Sequence, residues 1–568
     1  MKNKYINYLA VIGLALGASS CVDMDLAPLD QKSDATMWQT ANDVQLAVND
    51  LYGYLPEAFW GTDEDVYTDN AVHGIKWAVS SQAHGQWIPT NYSWSTEYVY
   101  IRSCNLILEN ASKADISQTD LNTALGTAYF FRALIYSDLI RQFGDVPLIL
   151  EPLALSDQEG ITRTSWETVY NQVMSDYDNA ISMLPNATGN SGYVSAMGAR
   201  AFKAKTALYF ANPECPHYIS GAYQVVVNET QTVINSGQFN LYDEGYTGTA
   251  ADYTGNYESM FWGLNINNSN ESLLTRANIA GQNGSYYIGF ECYPTIGWGG
   301  TNPTQSLVDA FEDCYGAPID KSAVYNPLRP WENRDPRLAT NVIFSGQEWY
   351  GLTVNTYPLP SSGVRAIYGY ANACGDATLT GYQTKKWLNP DVYPETDGWD
   401  HSIAGSNMRF TEVLLMFAEA KNELSGLDPE AFAAVNRVRA RVGMPALQNS
   451  DPSSPTYCAS QDDLRQRIRN EFRVEFCFEG NHRQWDARRW NIAMDVLNAD
   501  RYGYKFTIRE DPANALPEDN GQVCDLYVGE PILVTDQIIR YNANNYVYPI
   551  PQDEIDLNPN ITQNPGYD

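Results

Sequence analysis

The chain has 568 residues, 44% of them hydrophobic and 18% charged. That balance excludes intrinsic disorder and provides for a sizeable core, in about three or four units of ordinary domain size or in one large one. Acids outnumber bases 68 to 36, for a net charge of −32, which disfavours nucleic acid and anionic membrane surfaces as partners because both attract cationic proteins.

Lys2 and Lys4 precede an almost wholly apolar run from Tyr5 to Ala18. The run is shorter than the roughly 20 residues a membrane-spanning helix needs, so residues 1–20 read as a secretory leader outside the fold. Ala18, Ser19 and Ser20 before Cys21 resemble a bacterial lipobox, in which the cysteine is diacylated and becomes the new N-terminus. The usual pattern has Leu three residues before the cysteine and Gly or Ala directly before it, where this chain has Ala18 and Ser20. Asp23 and Asp25 follow, as in the surface-export signal of Bacteroidetes lipoproteins. The alternative is an ordinary cleaved leader with Cys21 as a plain thiol. Two acyl chains would hold the chain firmly where one would not, and residues 21–40 would then be a tether. Loss of the leader removes two lysines and no acid, moving the net charge from −32 to −34. The remaining cysteines are scattered without C-x-x-C spacing, which argues against a zinc site or a disulfide scaffold and leaves one or two bridges open.

Helical periodicity dominates residues 41–240. Val44, Ala47, Val48, Leu51 and Leu55 mark one helix over Thr40–Leu55, and Val99, Ile101, Leu106, Ile107 and Leu108 another over Thr96–Asn110. A long helix is expected over Asp120–Phe143, ended by Gly144. Trp166–Leu184, Ala196–Ala211 and Ala222–Ser236 complete the set. Helix pairs about 35–45 residues apart have the spacing of tetratricopeptide-like stacks. Between the first two helices lies an aperiodic loop, residues 56–96.

Residues 241–400 change character. Gly, Asn, Pro, Tyr and Trp dominate, and periodicity is brief, at Thr304–Phe311. Loops of such length are usually functional or disordered, and the aromatic content opposes disorder. Helices resume at Arg409–Leu424, Pro429–Val442 and Asp462–Phe478, within a closing region 401–568 that ends in a loop-rich tail. The fold class expected is mostly α, a tetratricopeptide-like helix-pair scaffold with a large irregular loop-rich insertion.

Several strings together resemble the SusD/RagB family of Bacteroidetes outer-membrane lipoproteins. They are Tyr129-Phe130-Phe131-Arg132-Ala133-Leu134 running into Phe143-Gly144-Asp145-Val146-Pro147-Leu148, Gly297-Trp298-Gly299-Gly300-Thr301-Asn302-Pro303-Thr304-Gln305, and Asn333-Arg334-Asp335-Pro336-Arg337-Leu338. To these add the helix from Arg409 to Ala420, the cluster from Ile468 to Trp490, and Gln563-Asn564-Pro565-Gly566-Tyr567. Phe472, where the family often has Arg, and Cys477, where a small apolar residue is commoner, depart from it. The resemblance implies a helical lid on a SusC-like TonB-dependent transporter at the extracellular face of the outer membrane. It implies binding of oligosaccharide and no chemistry.

The arginine–glutamate cluster Arg469–Arg489 reads as architecture: Arg469, Glu471, Arg473 and Glu475 stand at helical spacing, so each acid can bridge an arginine one turn away. The five histidines (His73, His84, His217, His401 and His482) form no metal spacing, and no nucleophile elbow, Walker or dinucleotide motif occurs. Asp63, Asp65 and Asp69 echo part of a calcium loop but lack its glycine, Thr68 standing there, and its closing glutamate; calcium is a subordinate alternative.

The loops carry the functional reading. Rings cover the C–H face of a neutral sugar while Asp, Asn, Gln and Arg meet its hydroxyls, and such a site belongs in loops. The candidate glycan residues are Trp87, Asp69 and Trp77 in the first loop, and Tyr286, Tyr293, Trp298, Arg365 and Trp349 in the second region. Trp94, at a helix start, is assigned to the core instead. The net charge favours a neutral glycan over a polyanionic one. Two rival functions remain beside glycan capture: a surface glycoside hydrolase, which would need a carboxylate pair across a cleft, and a RagB-like lid for peptide uptake.

Overall fold

The computed structural model describes residues 37–56, 64–74, 80–154, 160–187, 192–243, 256–284, 299–327, 330–344, 347–349, 352–354, 378–391, 400–506, 529–535 and 537–567. The chain is mostly α, as the periodicity predicts. Six helices come first: α1 (Ala41–Leu51), α2 (Ser95–Asn110), α3 (Gln118–Phe143), α4 (Trp166–Met183), α5 (Ala196–Tyr209) and α6 (Ala222–Asn235).

Local chemistry sets their ends. Thr40 and Asp43 form a capping box at α1, each side chain accepting from the other's backbone N–H. Ser117, Ser165 and Ser195 cap α3, α4 and α5. Gly144, at φ 72°, closes α3 in a conformation other residues avoid. Val44, Val48 and Leu51 form the buried stripe of α1. Val99, expected on the apolar side of α2, is instead 63% exposed, while Ile101, Cys104 and Ile107 face inward.

Each helix packs on the next, α1 and α2 on α3, α3 on α4, α4 on α5 and α5 on α6. Small residues let the stack close on several sides. Ala199, Ala201, Ala204 and Ala207 of α5 are buried, and a Cβ on Gly126 of α3 would lie 2.9 Å from Leu184 Cγ.

Two short helices, α7 (Gln305–Ala310) and α8 (Arg337–Asn341), lie in the loop-rich region. The stack resumes with α9 (Phe410–Ser425), which packs on α6 across the whole intervening insertion and receives α10 (Pro429–Arg441) and α11 (Gln461–Phe476) on its other sides. Strand pairing explains the return: β2 (Ser272–Asn278) near the start of the insertion pairs antiparallel with β8 (Ile403–Arg409), which runs directly into α9.

The insertion is less irregular than expected. A second strand pair joins the two loop regions, with β1 (Ala71–His73) antiparallel to β3 (Thr301–Pro303) in the register Val72 to Asn302. Further two-stranded ladders pair β4 (Val342–Ile343) with β7 (Gln383–Thr384), β5 (Glu348–Trp349) with β6 (Leu352–Thr353), and β9 (Tyr502–Phe506) with β10 (Gly529–Leu533). A helix not anticipated, α12 (His482–Arg489), follows α11 after a turn in which Phe478 takes φ 62°. One large apolar core runs from Val44 to Ile561, so the C-terminal tail packs back on the first helices. Cys104, Cys215, Cys314, Cys458 and Cys477 are free thiols; Cys21, Cys292, Cys374 and Cys524 lie outside the described residues.

Candidate functional site

The charged cluster around α11 is architectural, but its pairing is not the one expected. Glu475 meets Arg337, Arg409 and Arg441, and Glu471 meets Arg337 and Arg439. These arginines come from α8, β8 and α10, not from one turn away. The helix's own Arg473 reaches Asp69, and Arg469 lies over the Trp490 ring. The reason is burial: Glu471 and Glu475 are on the covered face of α11, where partners arrive from packed neighbours. Burial would raise the Glu475 carboxyl, but Arg441, Arg409, Arg337 and Lys386 overcome it and hold it well below the usual range.

The expected glycan residues separate into three groups. Trp77, Tyr286, Tyr293, Trp298 and Arg365 lie outside the described residues, as does Asp63 of the calcium-like loop. Among the described residues no group of three or more His, Cys, Asp or Glu is placed to hold a metal. Two other expectations are corrected. Asp69 is buried, with Arg483 donating to both its oxygens at 2.7 and 2.8 Å and Arg473 at 3.0 Å. Burial opposes its charge, yet these arginines bring its pKa down to about 2; its oxygens are spent on the fold. Trp349 is 4% exposed, packed in a cluster with Tyr257, Phe261 and Trp387 beneath Lys385, so its ring faces no solvent. Trp94 is core, edge-on to Phe143.

Trp87 is half-buried. Its ring meets Tyr541 edge-on and Tyr548 at a tilt, both at 6.0 Å, with the Arg488 guanidinium 5.9 Å away. Its indole N–H has no acceptor among the described residues. The position is held by the C-terminal tail, which the sequence did not bring near the first loop.

A cavity of about 550 Å³ opens within the helical scaffold, a place the sequence reading left out. It lies among α3, α5, α9, α12, β8 and residues 53–56. Tyr54, Tyr100, Phe202 and Trp485 supply rings. Its cations are paired, Arg141 with Asp138 at 2.7 Å, Lys205 with Glu412 at 2.9 Å and Arg489 with Asp486 at 2.7 Å, and Glu97 lines it too, its carboxyl raised by burial. Tyr54 donates its hydroxyl to Asp138 at 3.0 Å. His482 stacks on Phe476 at 4.4 Å, and burial with nearby Lys205 and Arg409 drives its pKa far down, keeping it neutral. The available signal was Asp138, Arg141 and Gln142, a polar cluster in the last two turns of α3.

Comparison with known proteins bears on what such a molecule does. A family model described as the SusD family matches residues 262–567, and one described as starch-binding, associating with the outer membrane, matches residues 26–208. SusD-like protein P2 of Formosa agariphila is 24% identical over the full length of both chains. A SusD-like protein from Bacteroides fragilis has a solved structure with TM-score 0.75 and 26% identity, covering 95% of this chain and all of that one. A laminarin-binding SusD-like protein superposes with TM-score 0.62 at 21% identity, covering 93% of this chain and all of that one. Among the described residues no helix is long and apolar enough to cross a membrane.

Proposed function

Because the chain belongs to the SusD family, we propose that it is a cell-surface receptor that captures a neutral glycan on its aromatic loops and passes it unchanged to a SusC-like TonB-dependent transporter. Lipid on Cys21 would tether it to the extracellular face of the outer membrane. The observation that carries this reading is the family match, which takes in both the helical scaffold and the loop-rich region. The antiparallel ladder of β1 with β3 supports it, since it ties the loop bearing Trp87 to the region bearing Tyr286, Tyr293 and Trp298. The surplus of acid, −34 after loss of the leader, favours uncharged chains over polyanions.

Affinity gel electrophoresis against neutral glucans, xylan, mannan and fructan tests the proposal. Laminarin is the natural first choice, given the fold likeness to a laminarin-binding relative. Retardation by at least one neutral polysaccharide is expected, with no reducing ends released. Replacing Trp298 and Tyr293 together by alanine should weaken retention about tenfold, the loss of one or two ring contacts. Bond cleavage by the purified protein, or retention of peptides alone, overturns the proposal in favour of the hydrolase or peptide-uptake reading.

A further inference from the structure

The scaffold cavity is uneven in charge. Five acids line it, Glu97, Asp138, Glu412, Glu479 and Asp486, against three cations, Arg141, Lys205 and Arg489. Four of the acids are paired: Asp138 with Arg141, Glu412 with Lys205, Asp486 with Arg489, and Glu479 with Arg409 and Lys386. Glu97 pairs with no cation among the described residues, and the charge that acts on it is the Asp138 carboxylate. Glu97 stands in the first turn of α2, where a helix N-terminus favours an acid. That favour is outweighed, since burial and Asp138 still lift its carboxyl. What the position lacks is a positive charge.

The groups around Glu97 narrow the kind of cation. Tyr100 lies one turn along α2 on the same face, and its ring meets that of Tyr54 edge-on at 5.5 Å. Tyr54 donates its hydroxyl to Asp138 at 3.0 Å and feels both Asp138 and Glu97, so two acids and two rings share one corner. The cation that neighbours Tyr100, Arg276, donates instead to the Gly53 and Leu55 carbonyls. A hard metal ion takes six or more oxygens, which one unpaired carboxylate among rings does not provide. An organic cation suits the corner: its N–H groups meet the carboxylate while its charge and carbon lie on ring faces. The volume, about 550 Å³, falls within the roughly 300–1,000 Å³ of small-molecule sites. Exposed Gly53, Pro56 and Thr96 border the corner.

Another part of the lining carries strain. Trp387, which lines the cavity, takes φ 76° and donates its indole N–H at 2.8 Å to the carbonyl of Phe478, itself at φ 62°. Bulky residues in left-handed backbone are costly and concentrate at ligand sites, so the cavity is more than a packing void.

We propose that this corner of the scaffold cavity binds a small organic cation, an ammonium or guanidinium group on a short carbon frame, with Glu97 as its counter-charge and Tyr54 and Tyr100 as its ring walls. The site goes beyond the receptor reading and does not depend on it, since none of its residues lies in the candidate set of the glycan-binding loops.

The test uses the full chain without its leader. Calorimetry at neutral pH is recorded with cadaverine, agmatine and glucosamine as cations, and with glucose and glutamate as neutral and anionic probes. Saturable one-to-one binding of at least one cation is expected, with neither glucose nor glutamate bound. Glu97→Gln, which keeps the size and removes the charge, should weaken it at least about tenfold, and Tyr100→Leu should weaken it about threefold. Without ligand, Glu97→Gln should melt no lower than the parent, which separates lost binding from lost fold. Both variants should retain the parent's polysaccharide retardation, so failure here and failure of the receptor reading are distinguishable. No saturable cation binding up to about 50 mM, glucose or glutamate bound as well as the cations, or cation affinity unchanged in Glu97→Gln overturns the proposal.

Discussion

Asp65 and Asp69 are four residues apart and both buried, yet their carboxyl groups are driven in opposite directions. Asp69 has two arginines and falls to about 2. Among the described residues Asp65 accepts from the Phe478 N–H and Asn70, and burial lifts it to about 7. The consequences for stability have opposite signs. Asp69 contributes above its unfolded value of 3.8, and that contribution is lost as pH falls toward 2. Asp65 disfavours the fold when ionised, so its cost builds as pH rises from its unfolded value of 3.8 to about 7 and is absent below that window. Asp65→Asn, which can still accept from Phe478, should therefore melt above the parent at pH 8, with the gap narrowing below pH 7 and closing near pH 4. Thermal melts across that range check it, and a gap independent of pH would mean that Asp65 is not the titrating group. Neither sign was legible in the sequence, because a carboxylate's partners here are some 400 residues away along the chain, as Arg483 is from Asp69.

At the scale of elements, the helices were legible and their neighbours were not. Periodicity and punctuation located α3, α4, α5 and α6 to within about two residues, since capping serines, glycines and prolines act locally. The short ladders escaped notice because strands of two or three residues carry no period to read. The helix α12 escaped because Arg483, Gln484, Asp486, Arg488 and Arg489 are polar yet buried, which removes the apolar stripe. Helix contacts also hang on single small residues. Gly126 of α3 sits against the end of α4, where an added Cβ would meet Leu184 Cγ at 2.9 Å and Met183 Cβ at 3.1 Å. Gly126→Val should destabilise the protein by about 1–3 kcal/mol through overpacking, read as a lowered denaturation midpoint. An unchanged midpoint would show that the two helices separate without cost.

On the scale of the whole molecule, the termini share one core. Tyr548 donates its backbone N–H to Gln142 O at 2.6 Å, and Asn564 donates to Phe143 O at 2.9 Å, so the tail seals the end of α3. Tyr548 and Tyr541 also flank the fully buried Arg488 guanidinium at 5.1 and 5.4 Å. A chain ending at residue 536 loses these rings and opens the core. Its melting temperature should drop by at least about 10 °C, or soluble protein should not accumulate; a truncated chain melting like the parent would make the tail dispensable.

Residues near one another in the chain determined the helical character, the helix ends and the family resemblance, because capping, periodicity and short motifs are contacts over a few residues. The return of α9 to α6, the ladder joining the two aromatic loop regions, the withdrawal of Asp69 and Trp349 into the interior and the cavity among the helices were decided only in three dimensions. Each depends on which distant surface arrives to exclude water or supply a counter-charge, and burial of that kind leaves no periodic trace in the order of residues.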